Sequence, residues 1–249
     1  FRIAEGDPFN PREIRESAER IRALGFFETS NVTAREGSTP DQVIVDVDVV
    51  EKPTGSLTFG GAFSSDSGLG LIGSFSEKNF LGRGQEFVLS FSTSSSINNY
   101  QLTLIEPAFL GRDVKAGFNL SYQDAEDSDT RFVNTTGRLL PSLEFPVSEN
   151  ARMQVRYTLS SVDMKINSGE EVAGSIIDAE GARGDEFTSA LGYSYTYDSR
   201  TTGLNPDAGV LFELSQDFGG LGGDVEFVRT TAKGIAQTKV FHGDVTLRA

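Results

Sequence analysis

The stretch "VKAGFNLSYQ" at Val114–Gln123 decides how this chain is to be read. Val114, Ala116, Phe118, Leu120 and Tyr122 alternate with Lys115, Asn119, Ser121 and Gln123. A period of two puts the first set on one face of a β-strand and the second on the other. In a soluble sandwich the apolar face points into a core, and strands run about five or six residues. An alternation about ten residues long, with Lys, Asn and Gln on its polar face, suits a strand that crosses a bilayer. Its apolar side would meet lipid and its polar side a wet interior.

The pattern recurs on both sides of this stretch. In "SLTFGGAF", Leu57, Phe59 and Phe63 oppose Ser56, Thr58 and Gly60. In "ARMQVRYTLS", Met153, Val155, Tyr157 and Leu159 oppose Arg152, Gln154, Arg156 and Thr158. "FTSALGYSYTYD" ends in a Tyr193, Tyr195, Tyr197 ladder, and "FHGDVTLRA" sets Phe241, Val245 and Leu247 against His242, Asp244 and Arg248. About eleven such segments fit between Gly55 and Ala249. The fold class this predicts is mainly β, an antiparallel transmembrane barrel. Periodicity alone leaves a soluble β-sandwich as the alternative.

The connections favour the barrel. "EKNFLGRGQ", "EPAFLGRD" and "PVSEN" are compact, whereas "SYQDAEDSDTRFV" and "VDMKINSGEEVAGSIIDAEGARGD" are long and acidic. Outer-membrane barrels have short turns on the periplasmic side and longer loops outside. Two of the compact connections repeat four letters, Phe80-Leu81-Gly82-Arg83 and Phe109-Leu110-Gly111-Arg112, 29 residues apart. Two strands, a loop and a turn fill that distance, so both copies are expected on the same, periplasmic rim. Gly can take the left-handed turn position, while Phe and Leu can sit at the membrane interface. Chance repetition of two ordinary tight turns is the alternative.

Ahead of Gly55 the chain reads as a small α/β piece. In "FNPREIRESAERIRALGFFE", Asn10 is placed to cap a helix, Pro11 to open it and Glu13 to complete a capping box. Ile14, Ala18 and Ile21 form one apolar stripe, and Gly25 is placed to end the helix. Strands follow near Thr29–Ala34 and Gln42–Val50, the second with Val43, Val45, Val47 and Val49 on one face expected to be buried. One helix on a hairpin is too little for a core. A strand and a further helix are expected upstream, and the chain, which opens at Phe1, reads as a piece of something longer.

Composition bounds the rest. The chain has 249 residues, a net charge of −14, no Cys, no Trp, 27 Gly and 19 Phe. Such acidity argues against a nucleic-acid partner, since phosphate binding needs a basic surface. Without Cys there is neither a disulfide framework nor a thiolate metal site. No run of about 18 apolar residues is present, so no helix is expected to span a membrane.

The quoted segments carry a family resemblance. "EGDPFN", "RALGFFETSNV", "PDQVIVDVDVVEKPTGSLTFGGAFSSDSGLG" and "NFLGRGQ" closely resemble one region of the BamA family. These are the central subunits of the bacterial β-barrel assembly machinery, within the POTRA-plus-barrel insertase superfamily. "YSYTYDSRTTGLNPDAG" is similar to a later hairpin of the family. The resemblance implies that residues 1–51 are the latter part of the last POTRA domain. Residues 55–249 would then be the N-terminal portion of a barrel, about eleven of the family's sixteen strands. It implies a non-enzymatic insertase with no cofactor. Ser56, Leu57, Thr58, Phe59, Gly60, Gly61, Ala62, Phe63 and Ser64 would be the edge to which a client strand is added. The implied partners are unfolded outer-membrane protein clients, BAM lipoproteins such as BamD through the POTRA region, and membrane lipids with lipopolysaccharide. The implied location is the bacterial outer membrane, with the POTRA part in the periplasm.

The edge reading has a physical basis, because an unpaired strand edge templates another strand. Ser56–Ser64 carries no charge and no Pro to blunt it. The plainer reading of Gly60-Gly61 is a bend or close packing in the wall. Thr58→Pro is the substitution expected to remove a backbone donor there. Asp124, Glu126, Asp127 and Asp129 form an acidic cluster without EF-hand spacing, read as a solvated loop, with Ca²⁺ binding or divalent-ion bridging of lipopolysaccharide as the alternative. The single His242, expected beside Asp244 in the lumen, has no nucleophile signature with it. Arg152 and Arg156 share one inward face and are expected to pair with lumenal carboxylates. A passive channel, a TamA-like protein and a two-partner secretion transporter are the competing functions.

Overall fold

The computed structural model describes residues 6–39, 42–65, 68–126, 132–166, 175–200, 208–240 and 245–248. It opens with helix α1, Pro11–Ala23, capped by Asn10. The Asn10 Oδ1 accepts from the Arg12 N–H at 3.1 Å, and its amide donates to Glu13 Oε1 at 3.0 Å. Glu13 therefore meets the cap's side chain rather than its backbone. The helix buries Ile14, Ser17 and Ala18, and Gly25 follows it with φ of 71°. Strands β1 (Phe27–Glu36) and β2 (Val43–Glu51) pair antiparallel. The expected buried valine face is not found, since Val43, Val47 and Val49 are exposed. The helix packs on β1.

Eleven strands follow in one antiparallel sheet, each paired with its neighbours in sequence. They are β3 (Gly55–Ser64), β4 (Gly68–Phe80), β5 (Gln85–Thr93), β6 (Ile97–Glu106) and β7 (Lys115–Glu126). The second half holds β8 (Phe132–Ser148), β9 (Ala151–Ile166), β10 (Glu186–Asp198), β11 (Gly209–Gly219), β12 (Phe227–Val240) and β13 (Val245–Arg248). The sheet is mainly β wall and is not closed, as expected of part of a barrel.

Register turns the alternation of single strands into continuous rows. Leu57, Phe75, Leu89, Leu102, Leu120, Leu139 and Leu159 lie opposite one another across seven strands. One residue further along β3, Thr58, Ser74, Ser90, Gln101, Ser121, Arg138, Ser160 and Thr188 form the adjacent row on the other face. Much of the apolar face is exposed, with Leu57 at 79%, Phe59 at 71% and Phe118 at 40%. Among the described residues the only buried hydrophobics are Ile14, Ala18, Ala151 and Ala190, whereas Ser160, Ser189, Ser194 and Gln237 are buried. A soluble sandwich inverts this distribution, because it must hide its apolar face from water. Apolar outside and polar inside is the section of a barrel wall in lipid.

The acidic "loops" are shorter than the sequence suggests. β7 runs to Glu126 and β8 begins at Phe132. Asp124 thus sits on a strand, accepting from the Thr135 hydroxyl at 2.9 Å. Asp127, Asp129, Glu170, His242 and Asp244 lie outside the described residues. Connection length does not separate the rims cleanly either. On the rim opposite the repeated turns, β3 leads on to β4 and β5 on to β6 with three residues between each pair, and the longest separation there is between β9 and β10. What does orient the sheet is the entry of the α/β piece, since Gly55 and both repeated turns lie at the same rim.

Candidate functional site: the open edge and the repeated turns

β3 ends the sheet and, among the described residues, pairs only with β4. In an antiparallel pair, residues alternate between those bonded to the partner strand and those whose N–H and C=O point away. The Lys78 N–H donates to the Thr54 carbonyl at 3.4 Å, and a Cβ at Gly70 would lie 3.7 Å from the Ala62 carbonyl. Even-numbered residues of β3 therefore face β4. Leu57, Phe59, Gly61 and Phe63 present their backbone groups to the open side. This corrects the use of Thr58, whose N–H belongs to the β3–β4 ladder. A proline there would break the wall rather than blunt the edge.

For Gly60 and Gly61 the packing half of the plainer reading does not hold. Neither has a positive φ, and a Cβ would meet Ile72 at 3.4 Å or the Gly70 carbonyl at 3.7 Å, ordinary contacts. Close packing does not require glycine here. The pair instead leaves the middle of the edge without side chains. Ser56, Leu57, Thr58, Phe59, Ala62, Phe63 and Ser64 complete the strand.

The two Phe-Leu-Gly-Arg copies have the same backbone. Gly82 donates to Asn79 and Arg83 to Phe80, at 2.9 and 3.3 Å. Gly111 donates to Ala108 and Arg112 to Phe109, at 2.8 and 3.2 Å. The glycines take the left-handed region as expected, with φ of 70° each, but so do Leu81 and Leu110, with φ of 56° each. Two consecutive positive φ values make a type I′ hairpin turn, and leucine is an unusual residue for one. Leu81 is 72% and Leu110 80% exposed.

The repeat is longer than its four shared letters. Glu77 and Glu106 each stand three residues before the Phe. Each carboxylate accepts from the N–H two residues on, Asn79 at 2.9 Å and Ala108 at 3.1 Å. Extending the comparison upstream along the sequence would have found this seven-residue unit. Gln85 then ties the first turn to the second by donating to Glu106 at 2.6 Å.

The interior wall carries paired charge, as expected for Arg152 and Arg156. Arg152 Nε lies 2.6 Å from Glu144. Arg156 reaches Asp217 at 2.7 Å and also donates to the Ser194 and Ser215 hydroxyls.

Comparison with known proteins agrees with this geometry. The Omp85 superfamily domain matches residues 79–249, and the POTRA family described as surface antigen variable number repeat matches residues 1–52. BamA from Neorickettsia risticii is 27% identical over 98% of this chain and 33% of its own length. BamA from Nitratidesulfovibrio vulgaris is 26% identical over 98% of this chain and 31% of its own length. The chain thus spans about a third of these curated relatives. Among solved structures, BamA from Haemophilus ducreyi lacking POTRA domains 1–3 superposes with a TM-score of 0.76 at 22% identity, covering 99% of this chain and 49% of that one. CdiB from Escherichia coli superposes with a TM-score of 0.53 at 14% identity, over 95% of this chain and 47% of that one.

Proposed function

Since the chain belongs to the Omp85 superfamily, carrying a POTRA segment ahead of its barrel strands, we propose that it is part of a BamA-type assembly factor. In this reading the open side of β3 templates the strands of incoming outer-membrane barrel proteins. The protein lies in the bacterial outer membrane with its POTRA part in the periplasm. The repeated turns share the rim of the POTRA junction and so face the periplasm. It works without catalytic residues or a cofactor, through backbone pairing alone. Its further partners are BAM lipoproteins such as BamD at the POTRA region, lipids and lipopolysaccharide.

One observation carries the reading. Leu57, Phe59, Gly61 and Phe63 offer backbone donors and acceptors to the open side, beside a glycine pair that blocks nothing. Backbone pairing is indifferent to client sequence, which an insertase of many barrels requires.

Gly61→Pro tests it, because it removes an outward N–H and leaves the β4 ladder intact. In the full-length protein in liposomes it should slow insertion of a client barrel, followed by heat-modifiable gel mobility. Gly61→Ala, which keeps the N–H, should not. A Gly61→Pro protein that folds and inserts clients at the wild-type rate would overturn the edge mechanism. The fold likeness to CdiB favours a second reading, a two-partner secretion transporter. Counting POTRA domains in the complete gene product separates the two.

A further inference from the structure

We propose that Glu77 is a positioning residue that holds the POTRA segment to the barrel rim and so fixes where the edge strand begins. The proposal rests on β3 being the pairing edge.

Glu77 lies opposite Gly55, the first residue of β3. Its Oε1 accepts from the Asn79 N–H at 2.9 Å and from the Thr54 hydroxyl. Thr54 belongs to the link 52–54 between β2 and β3, and its carbonyl accepts from Lys78. Gly55 leaves the carboxylate its room, since a Cβ there would come within 2.6 Å of Glu77 Oε2.

The link is held at its other end too. The Lys52 N–H donates to the Phe26 carbonyl at 3.1 Å. The Phe26 ring lies against the first turn, 3.5 Å from where a Cβ on Gly84 would stand. The Gly84 N–H donates to Asn79 Oδ1 at 2.7 Å. Phe26, Lys52, Thr54, Glu77, Asn79 and Gly84 thus close a circuit between the two parts of the chain. Short links leave domains free to move relative to one another unless something else joins them. Here the circuit removes that freedom, and the strand that follows the link starts at a set height on the rim.

The second turn supplies the control. Glu106 caps it as Glu77 caps the first, but its other contact is Gln85, within the barrel. If both carboxylates merely shaped turns, losing either would have the same effect on the POTRA segment.

The test uses the full-length protein in lipid vesicles, with spin labels at Glu19→Cys on the exposed side of α1 and Glu149→Cys on the β8–β9 turn, and any cysteine elsewhere removed. Wild type, Glu77→Gln and Glu106→Ala should give one narrow distance distribution, because the Gln carbonyl keeps both acceptor contacts. Glu77→Ala and Thr54→Val should lose the narrow peak. A narrow peak in Glu77→Ala, or equal broadening in Glu106→Ala, overturns the proposal. If Glu77→Ala gives no folded, heat-modifiable band, Thr54→Val decides alone. The distances are read without any client, so they stand even if Gly61→Pro shows β3 not to be the pairing edge. If β3 is that edge, Glu77→Ala should also slow client insertion and Glu77→Gln should restore it.

Discussion

Arg156 on β9 grips Asp217 on β11 at 2.7 Å by passing over β10 at Gly192. Gly192 stands directly opposite both residues, and a Cβ there would fall 2.0 Å from Asp217 Oδ1 and 3.0 Å from Arg156 Nε. The glycine is the gap through which three strands are joined by one ion pair. The side chains are 12% and 20% exposed, so the pair is sheltered from water although it lines a lumen.

Gly192→Ala should therefore cost about as much stability as Asp217→Ala. Both lose hydrogen bonds to a charged group, on the order of 1.5–3 kcal/mol. The double variant should cost less than the sum, since both changes remove one interaction. Denaturant unfolding of the full barrel in detergent checks this, and strict additivity would show that the glycine serves something else.

The face assignment makes a second prediction. Phe118→Arg puts a charge on the lipid side and should destabilise by roughly 2–4 kcal/mol if it lies near the midplane. The neighbouring Asn119→Arg points inward and forfeits mainly the bond from Asn119 to Thr103, 2.9 Å long, on the order of 1 kcal/mol. Equal losses would contradict a lipid-embedded wall.

The turns make a third. Leu81 and Leu110 hold φ of 56°, a region that costs a residue with a Cβ about 1–2 kcal/mol. Leu81→Asn, which tolerates that conformation, should be neutral or mildly stabilising, and Leu81→Val should be destabilising. Thermal loss of the folded gel band ranks the variants. A marked loss in Leu81→Asn would instead mean that the leucine side chain is bound to something.

Much of the wall was legible because alternation is local. Phe118 and Asn119 declare opposite faces from their neighbours alone. The cap at Asn10 was equally local, and the shared rim of the two turns followed from spacing. Pairing across strands was not legible. Arg156 and Asp217 are 61 residues apart, and only the combined registers of β9, β10 and β11 bring them together. Register also hid the direction of the Thr58 N–H, which depends on how β3 meets β4. Asp124 shows that acidity does not mark a loop, because a strand can run on past the membrane and keep its ladder. The β2 valines misled because a strand's apolar face does not say whether anything covers it.

The strictly sequential order of the sheet has a kinetic consequence. Among the described residues every strand from β3 to β13 pairs its backbone only with its neighbours in the chain, so forming these ladders needs no loop closure longer than a hairpin. Loop-closure entropy rises with length, and topologies built from local contacts assemble faster. The wall can grow by zippering, one hairpin at a time. β3, at one end of the sheet, joins this zipper through β4 alone among the described strands.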